Sequence, residues 1–231
     1  MTRIYREVRV APTGGGWGIW LDARALQTPA RQPLMLPRRG LAEAIAAEWD
    51  AQTEKIVPVT MPLMRLAAMA LDRVAAQRGQ AIDEIVGYAK TDLVCYRAER
   101  PAELAARQNT CWQPLIDWLT LRFDAPLIVT TGVVPKAQPE AAIAAIRAAV
   151  TALDPFWLTA VHSATTACGS IVIGLALVER RLDAEEAWQA SQLDETFQIE
   201  AWGEDAEAAA RRAALKHDIA ATCRFMDLLR D

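Results

Sequence analysis

The chain has 231 residues, and its 25 Lys and Arg against 29 Asp and Glu leave a formal charge of −4. With 52% apolar and 23% charged residues it is not a disordered chain, which would be poorer in apolar residues and higher in net charge. The acidic balance also argues against a general nucleic-acid binder, because that binding rests on neutralising phosphates. The length predicts one or two domains.

The first 39 residues stand apart. They carry seven Arg against Glu7 and Asp22, about +5, so the remainder is near −9. They also hold Gly14, Gly15, Gly16 and Gly18 and four prolines. Ile4, Arg6, Val8 and Val10 alternate with Arg3, Tyr5, Glu7 and Arg9, and Trp17, Ile19 and Leu21 alternate with Gly18 and Trp20. Both runs read as strands, joined by a turn over Pro12 to Gly16. Asp22-Ala23-Arg24 offers a second tight hairpin, although Ala tolerates positive φ poorly. A short strand is predicted over Pro33 to Pro37. The triple glycine lacks phosphate-loop spacing and lies between strands.

After Gly40 the period becomes helical. Leu41, Ile45 and Trp49 form one stripe, Leu63, Leu66, Ala70 and Val74 a second, and Ile82, Ile85 and Ala89 a third. Leu104 to Leu119 continues the pattern, and Leu127 to Thr130 reads as extended. Pro139 to Leu153 is an Ala-rich helix. Residues 155–178 hold no charged residue, yet six Ser, Thr and His residues interrupt them. A buried central helix fits better than a membrane span, with Gly169 and Gly174 admitting close neighbours.

The fold class is therefore α+β: a small N-terminal β-rich domain over residues 1–60 with one helix, then a larger, mostly α-helical domain over 61–231. The N-terminus has no signal-peptide core, so a cytoplasmic protein is expected. Cys95, Cys111, Cys168 and Cys223, with His162 and His217, show no metal-ligand spacing. The cysteines read as buried thiols. No GxSxG, HExxH or phosphate loop is present, so no catalytic residue, metal or cofactor is assigned.

One segment concentrates charge. Between Asp183 and Glu207 lie nine carboxylates and no Lys or Arg. Asp183 with Glu186 predicts a capping box, and Glu204, Asp205 and Glu207 suit the start of the last helix. Asp194 and Glu195 are left over. On a continuous helix Trp188, Glu195, Ile199 and Trp202 would share one stripe. Two readings stand: a solvated acidic face with Asp194 or Glu195 ion-paired, or a docking surface for a basic partner at Asp194, Glu195, Trp202 and Asp205.

Several stretches carry a resemblance. They are Leu21-Asp22-Ala23-Arg24 with Thr28-Pro29; Glu48-Trp49-Asp50-Ala51-Gln52 with Ile56 and Pro58; and Met61-Pro62-Leu63. Asp92-Leu93-Val94-Cys95-Tyr96-Arg97-Ala98, Trp112 with Pro114-Leu115, Gly169-Ser170, and Leu193-Asp194-Glu195 through Trp202-Gly203-Glu204-Asp205 complete the set. In this order they resemble the assembly chaperones that bind the alpha subunit of the catalytic sector of the F-type ATP synthase. Ala23, Met64 and Gln113 depart from that pattern.

The resemblance implies a non-enzymatic protein with no cofactor. It would hold a new alpha subunit, prevent its aggregation and be displaced by the beta subunit. Nothing in the sequence demands more than a monomer when free, and the acidic charge and the interrupted apolar run leave no nucleic-acid or membrane partner expected; organellar relatives would work in the mitochondrial matrix. The same two-part fold is implied. The rival expectation is an enzyme acting on a small metabolite in an interdomain cleft.

Overall fold

A computed structural model describes residues 2–132 and 134–231, so Met1 and Val133 lie outside the description. The chain forms two compact units. One contains residues 1–78 together with 154–160 and 221–231; the other contains 79–153 and 161–220.

The first unit begins with an antiparallel sheet of β1 (Val8–Thr13), β2 (Gly16–Leu21) and β3 (Arg24–Ala25). Val10 pairs with Ile19, which places the alternating aliphatic residues on one face. The second hairpin forms as its composition suggests, but Asp22 takes the positive φ, at 53°, in place of Ala23. Asp22 suits that role because its Oδ1 accepts the backbone N–H groups of Arg6 and Glu7 at 3.0 and 2.9 Å.

The strand expected over Pro33 to Pro37 is reduced to isolated bridges. Leu36 exchanges two 2.8 Å backbone bonds with Trp17, but the flanking prolines cannot donate and the ladder stops there.

Helix α1 (Arg39–Asp50) packs on this sheet through Leu41, Ala42 and Ile45, which are fully buried. Helix α2 (Pro62–Met69) follows, with Pro62 at its first turn and Leu63 and Ala67 inward. The ends of two later helices also belong here: Phe156 and Phe225 stack at 6.3 Å.

The second unit is helical. Its helices are α3 (Arg78–Gly87), whose first residue falls in the other unit, α4 (Ala102–Phe123), α5 (Glu140–Thr151), most of α6 (Pro155–Cys168), α7 (Ile171–Val178), α8 (Ala184–Ser191), α9 (Leu193–Trp202) and the start of α10 (Ala206–Arg230). A two-stranded parallel pair, β4 (Tyr96–Arg97) with β5 (Thr130–Thr131), is its only sheet among the described residues. Helix α4 supplies the buried centre through Trp112, Leu115 and Leu119.

The uncharged stretch 155–178 is not one helix. It is α6 and α7, broken at Gly169, whose φ is +64°. Ser170 caps α7 by accepting the Ile173 N–H at 3.1 Å. Gly174 sits against α6 as expected, for a Cβ there would lie 2.5 Å from Thr165 Oγ1, whereas a Cβ at Gly169 would meet nothing within 4 Å and that glycine serves the positive φ instead.

Asp92 fixes this corner. It is fully buried, and its carboxylate accepts Ser170 Oγ at 2.6 Å, Ile171 N at 2.7 Å, Val172 N at 3.2 Å and Val94 N at 3.1 Å. No helix among the described residues is long and apolar enough to cross a membrane.

Candidate functional site

The acidic segment folds as α8, α9 and the start of α10. Its expected continuity fails at Gln192, whose φ of −108° and ψ of 15° leave the helical region. Trp188 and Glu195 therefore do not share a helix face, and the expected stripe through Trp202 is broken. Trp188 instead receives Arg212 and Lys216, at 5.1 and 4.4 Å from its ring.

Most of the nine carboxylates have local work. Asp183 and Glu186 form the expected capping box on α8. Glu185 binds Lys216 at 2.7 Å, Glu200 binds Arg107 at 2.6 Å and Glu204 binds Arg212 at 3.4 Å. Glu207 faces Arg211 at 3.9 Å. Asp205 caps α10 by accepting Ala208 N at 2.8 Å.

Asp194 turns inward. Its Oδ1 accepts Nε2 of Gln108 at 2.7 Å, and Gln108 on α4 is only 2% exposed.

Glu195 is the exception. Its side chain is exposed and has no hydrogen bond or ion pair among the described residues. It lines a small cleft with Gln192, Ala208, Arg211, Arg212 and Leu215. Trp202, the last residue of α9, is 82% exposed, and Gly203 at φ +84° ends the helix behind it. Thus of the four expected contact residues, Glu195 and Trp202 present unused groups, while Asp194 and Asp205 have structural partners.

The motif around Trp49 also acquires meanings. Glu48 accepts the N–H groups of Leu63 and Met64 at 2.8 and 2.9 Å and so caps α2 from α1. Burial raises its pKa, opposed by those two hydrogen bonds and by Arg224. Trp49 meets Tyr5 edge-on at 5.9 Å, Asp50 binds Arg3 at 3.1 Å, and Gln52 holds Val57 N at 2.8 Å and Thr60 Oγ1 at 3.1 Å. Glu48, Trp49, Asp50 and Gln52 thus each join the end of α1 to another segment of the first unit.

One feature of the first unit escaped sequence reasoning. A groove of about 970 Å³ opens beside Trp49, lined chiefly by apolar side chains. Ile4 on its wall is 82% exposed, and the adjoining Val57 and Val59 are 43% and 67% exposed. The signal was the run Ile56-Val57-Pro58-Val59 in a loop, where apolar residues have no periodicity to bury them.

No group of His, Cys, Asp and Glu among the described residues could hold a metal ion. Cys95 is buried and its thiol is pushed up to about 12, chiefly by desolvation and then by Asp92; Cys168 is buried too, but Cys111 and Cys223 are only half-buried, so the buried-thiol reading holds for two of the four.

The pattern that describes the ATP12 chaperone protein family matches residues 2–120, just over half of the chain. The chain belongs to the ATP12 chaperone family. It is thus a chaperone of ATP synthase assembly, as its sequence motifs implied. The crystal structure of Atp12 from Paracoccus denitrificans overlays it with a TM-score of 0.95 at 43% identity, covering 99% of this chain and 98% of that one.

The Atu1473 protein of Agrobacterium tumefaciens aligns with a TM-score of 0.94 at 40% identity, over 99% of this chain and 86% of its own. The mitochondrial protein atp12 of Schizosaccharomyces pombe is 23% identical over 213 residues, 87% of this chain and 73% of the relative. The chaperone's acidic segment lies beyond the matched family stretch but within the structural overlay.

Proposed function

We propose that this chaperone binds the unassembled alpha subunit of the F-type ATP synthase and prevents its aggregation until the beta subunit displaces it. The observation that carries the reading is the overlay, across nearly the whole chain, on Atp12 of P. denitrificans. An isolated subunit exposes apolar assembly surfaces, and such surfaces aggregate. A binder that covers one of them keeps the subunit soluble. Release follows from competition, because the true neighbour buries the same surface in a larger interface.

The contact residues in this reading are Glu195 and Trp202, with Asp194 and Asp205 beside them. An unpaired carboxylate gives electrostatic steering, and an exposed indole gives apolar area. The chaperone acts by binding alone, as a monomer in the cytoplasm.

Size-exclusion chromatography with purified alpha subunit tests this directly. A one-to-one complex that dissolves on adding beta subunit is expected. Alpha subunit that aggregates as fast with the chaperone as without it would overturn the proposal.

A further inference from the structure

The groove of the first unit has a chemistry of its own. Its walls are aliphatic and thioether: Ile4, Leu21, Leu26, Ile56, Met61 and Met64. Methionine adapts its shape to varied apolar partners. Val57 and Val59, sequence neighbours of the lining residues Ile56 and Pro58, are exposed as well, which adds apolar surface beyond the groove itself.

The polar groups in its lining are mostly occupied within the chain. Tyr5 donates to the Trp49 carbonyl at 2.7 Å, Thr28 donates to Asp72, and Asp22 receives two backbone N–H groups. Two charged side chains remain. Arg24 and Arg65 both line the groove, both are exposed, and neither has an ion pair or side-chain hydrogen bond among the described residues. An apolar trough with two unused guanidinium groups is complementary to aliphatic side chains accompanied by carboxylates.

We propose that this groove docks an aliphatic segment of a client protein flanked by acidic residues, a second contact surface distinct from the acidic segment around Glu195. The client is the one assigned above, so the inference rests on that reading for the client's identity.

A peptide probe tests the groove independently of the client. A fluorescein-labelled peptide of Val, Leu and Ala with Glu at each end is titrated with the full chain by anisotropy, beside a counterpart ending in Lys. The Glu peptide binds about tenfold more tightly than the Lys peptide. Ile4→Asp weakens it about tenfold, and Arg24→Glu with Arg65→Glu reverses the preference. All three positions are exposed, so the thermal melt of each variant matches the parent.

Equal binding of both peptides, no binding of either, or binding indifferent to these variants would overturn the proposal. The same proteins are then mixed with alpha subunit. Peptide binding as expected without alpha binding sinks the client assignment and leaves the groove; alpha binding without peptide binding does the reverse.

Discussion

Gln108 holds Asp194 through one end of its amide and the backbone of Ala98 through the other. Its Nε2 donates to Asp194 Oδ1 at 2.7 Å, and its Oε1 accepts Ala98 N at 2.6 Å. The carboxylate thereby ties α9 to α4 and, through Gln108, to the residue after β4. Removing it leaves a buried amide donor unsatisfied, which costs about 1–3 kcal/mol. Asp194→Ala should lower unfolding free energy by about that amount, as read by urea denaturation. The folded variant should keep its far-UV spectrum.

Glu195 lies next in sequence and should behave in the opposite way. It has no partner to lose, so Glu195→Lys should lower the melting temperature only by the small cost of a cation in the first turn of α9, well under the cost of Asp194→Ala. It should slow association with alpha subunit at low salt, with the difference shrinking as salt screens the charge. Trp202→Ala should weaken the same complex by about tenfold or more, because an exposed indole offers large apolar area. Stopped-flow and equilibrium titrations separate the two effects. A destabilised Glu195→Lys protein with normal binding per folded molecule would remove Glu195 from the interface.

Asp92 makes stability depend on pH. Burial raises its pKa from 3.8 to about 6, opposed by hydrogen bonds from Ser170, Val172, Val94 and Ile171. The folded state therefore holds the proton more tightly than the unfolded state. This contribution is fully present below about pH 4 and is lost as pH rises to about 6, worth roughly 3 kcal/mol. Asp92→Asn abolishes that slope, so the stability of the variant relative to the parent should rise by about that amount as pH rises across this window. Asp92→Ala strands three backbone donors and the Ser170 hydroxyl, and should cost at least about 3 kcal/mol at every pH. Urea unfolding from pH 4 to pH 7 gives both quantities.

Gly174 and Thr165 form a packing pair. A Cβ at position 174 would come 2.5 Å from Thr165 Oγ1 and 3.3 Å from its backbone nitrogen. Gly174→Ala should destabilise by about 1–3 kcal/mol through overpacking. Thr165→Ala removes the nearer atom, so the double variant should recover much of the loss. A double-mutant cycle with additive effects would show that α6 and α7 simply move apart.

Much of the chaperone's local structure is legible in its residues. The change from period two to period 3.6 near Gly40 marks the sheet and the first helix. Asp183 and Glu186 announce a capping box, because both partners lie within one helical turn. Gly169-Ser170 is less transparent. The uncharged run hides the break, since apolar residues suit one buried helix as well as two. The strand over Pro33 to Pro37 shrinks to bridges because the prolines at its ends withhold donors.

By itself the sequence determined the α+β class, most of the helices, the capping box on α8, the acidic segment and the family, because these depend on short-range chemistry or on residues in order. Tertiary structure alone decided which carboxylates are spent. Asp194 and Glu195 are neighbours of similar charge, yet only the fold brings Gln108, 86 positions away, to one of them and leaves the other unpaired. The groove is tertiary in the same sense: Ile4, Leu26, Trp49 and Met64 come from separate segments, and no periodicity records that their side chains meet around unfilled space.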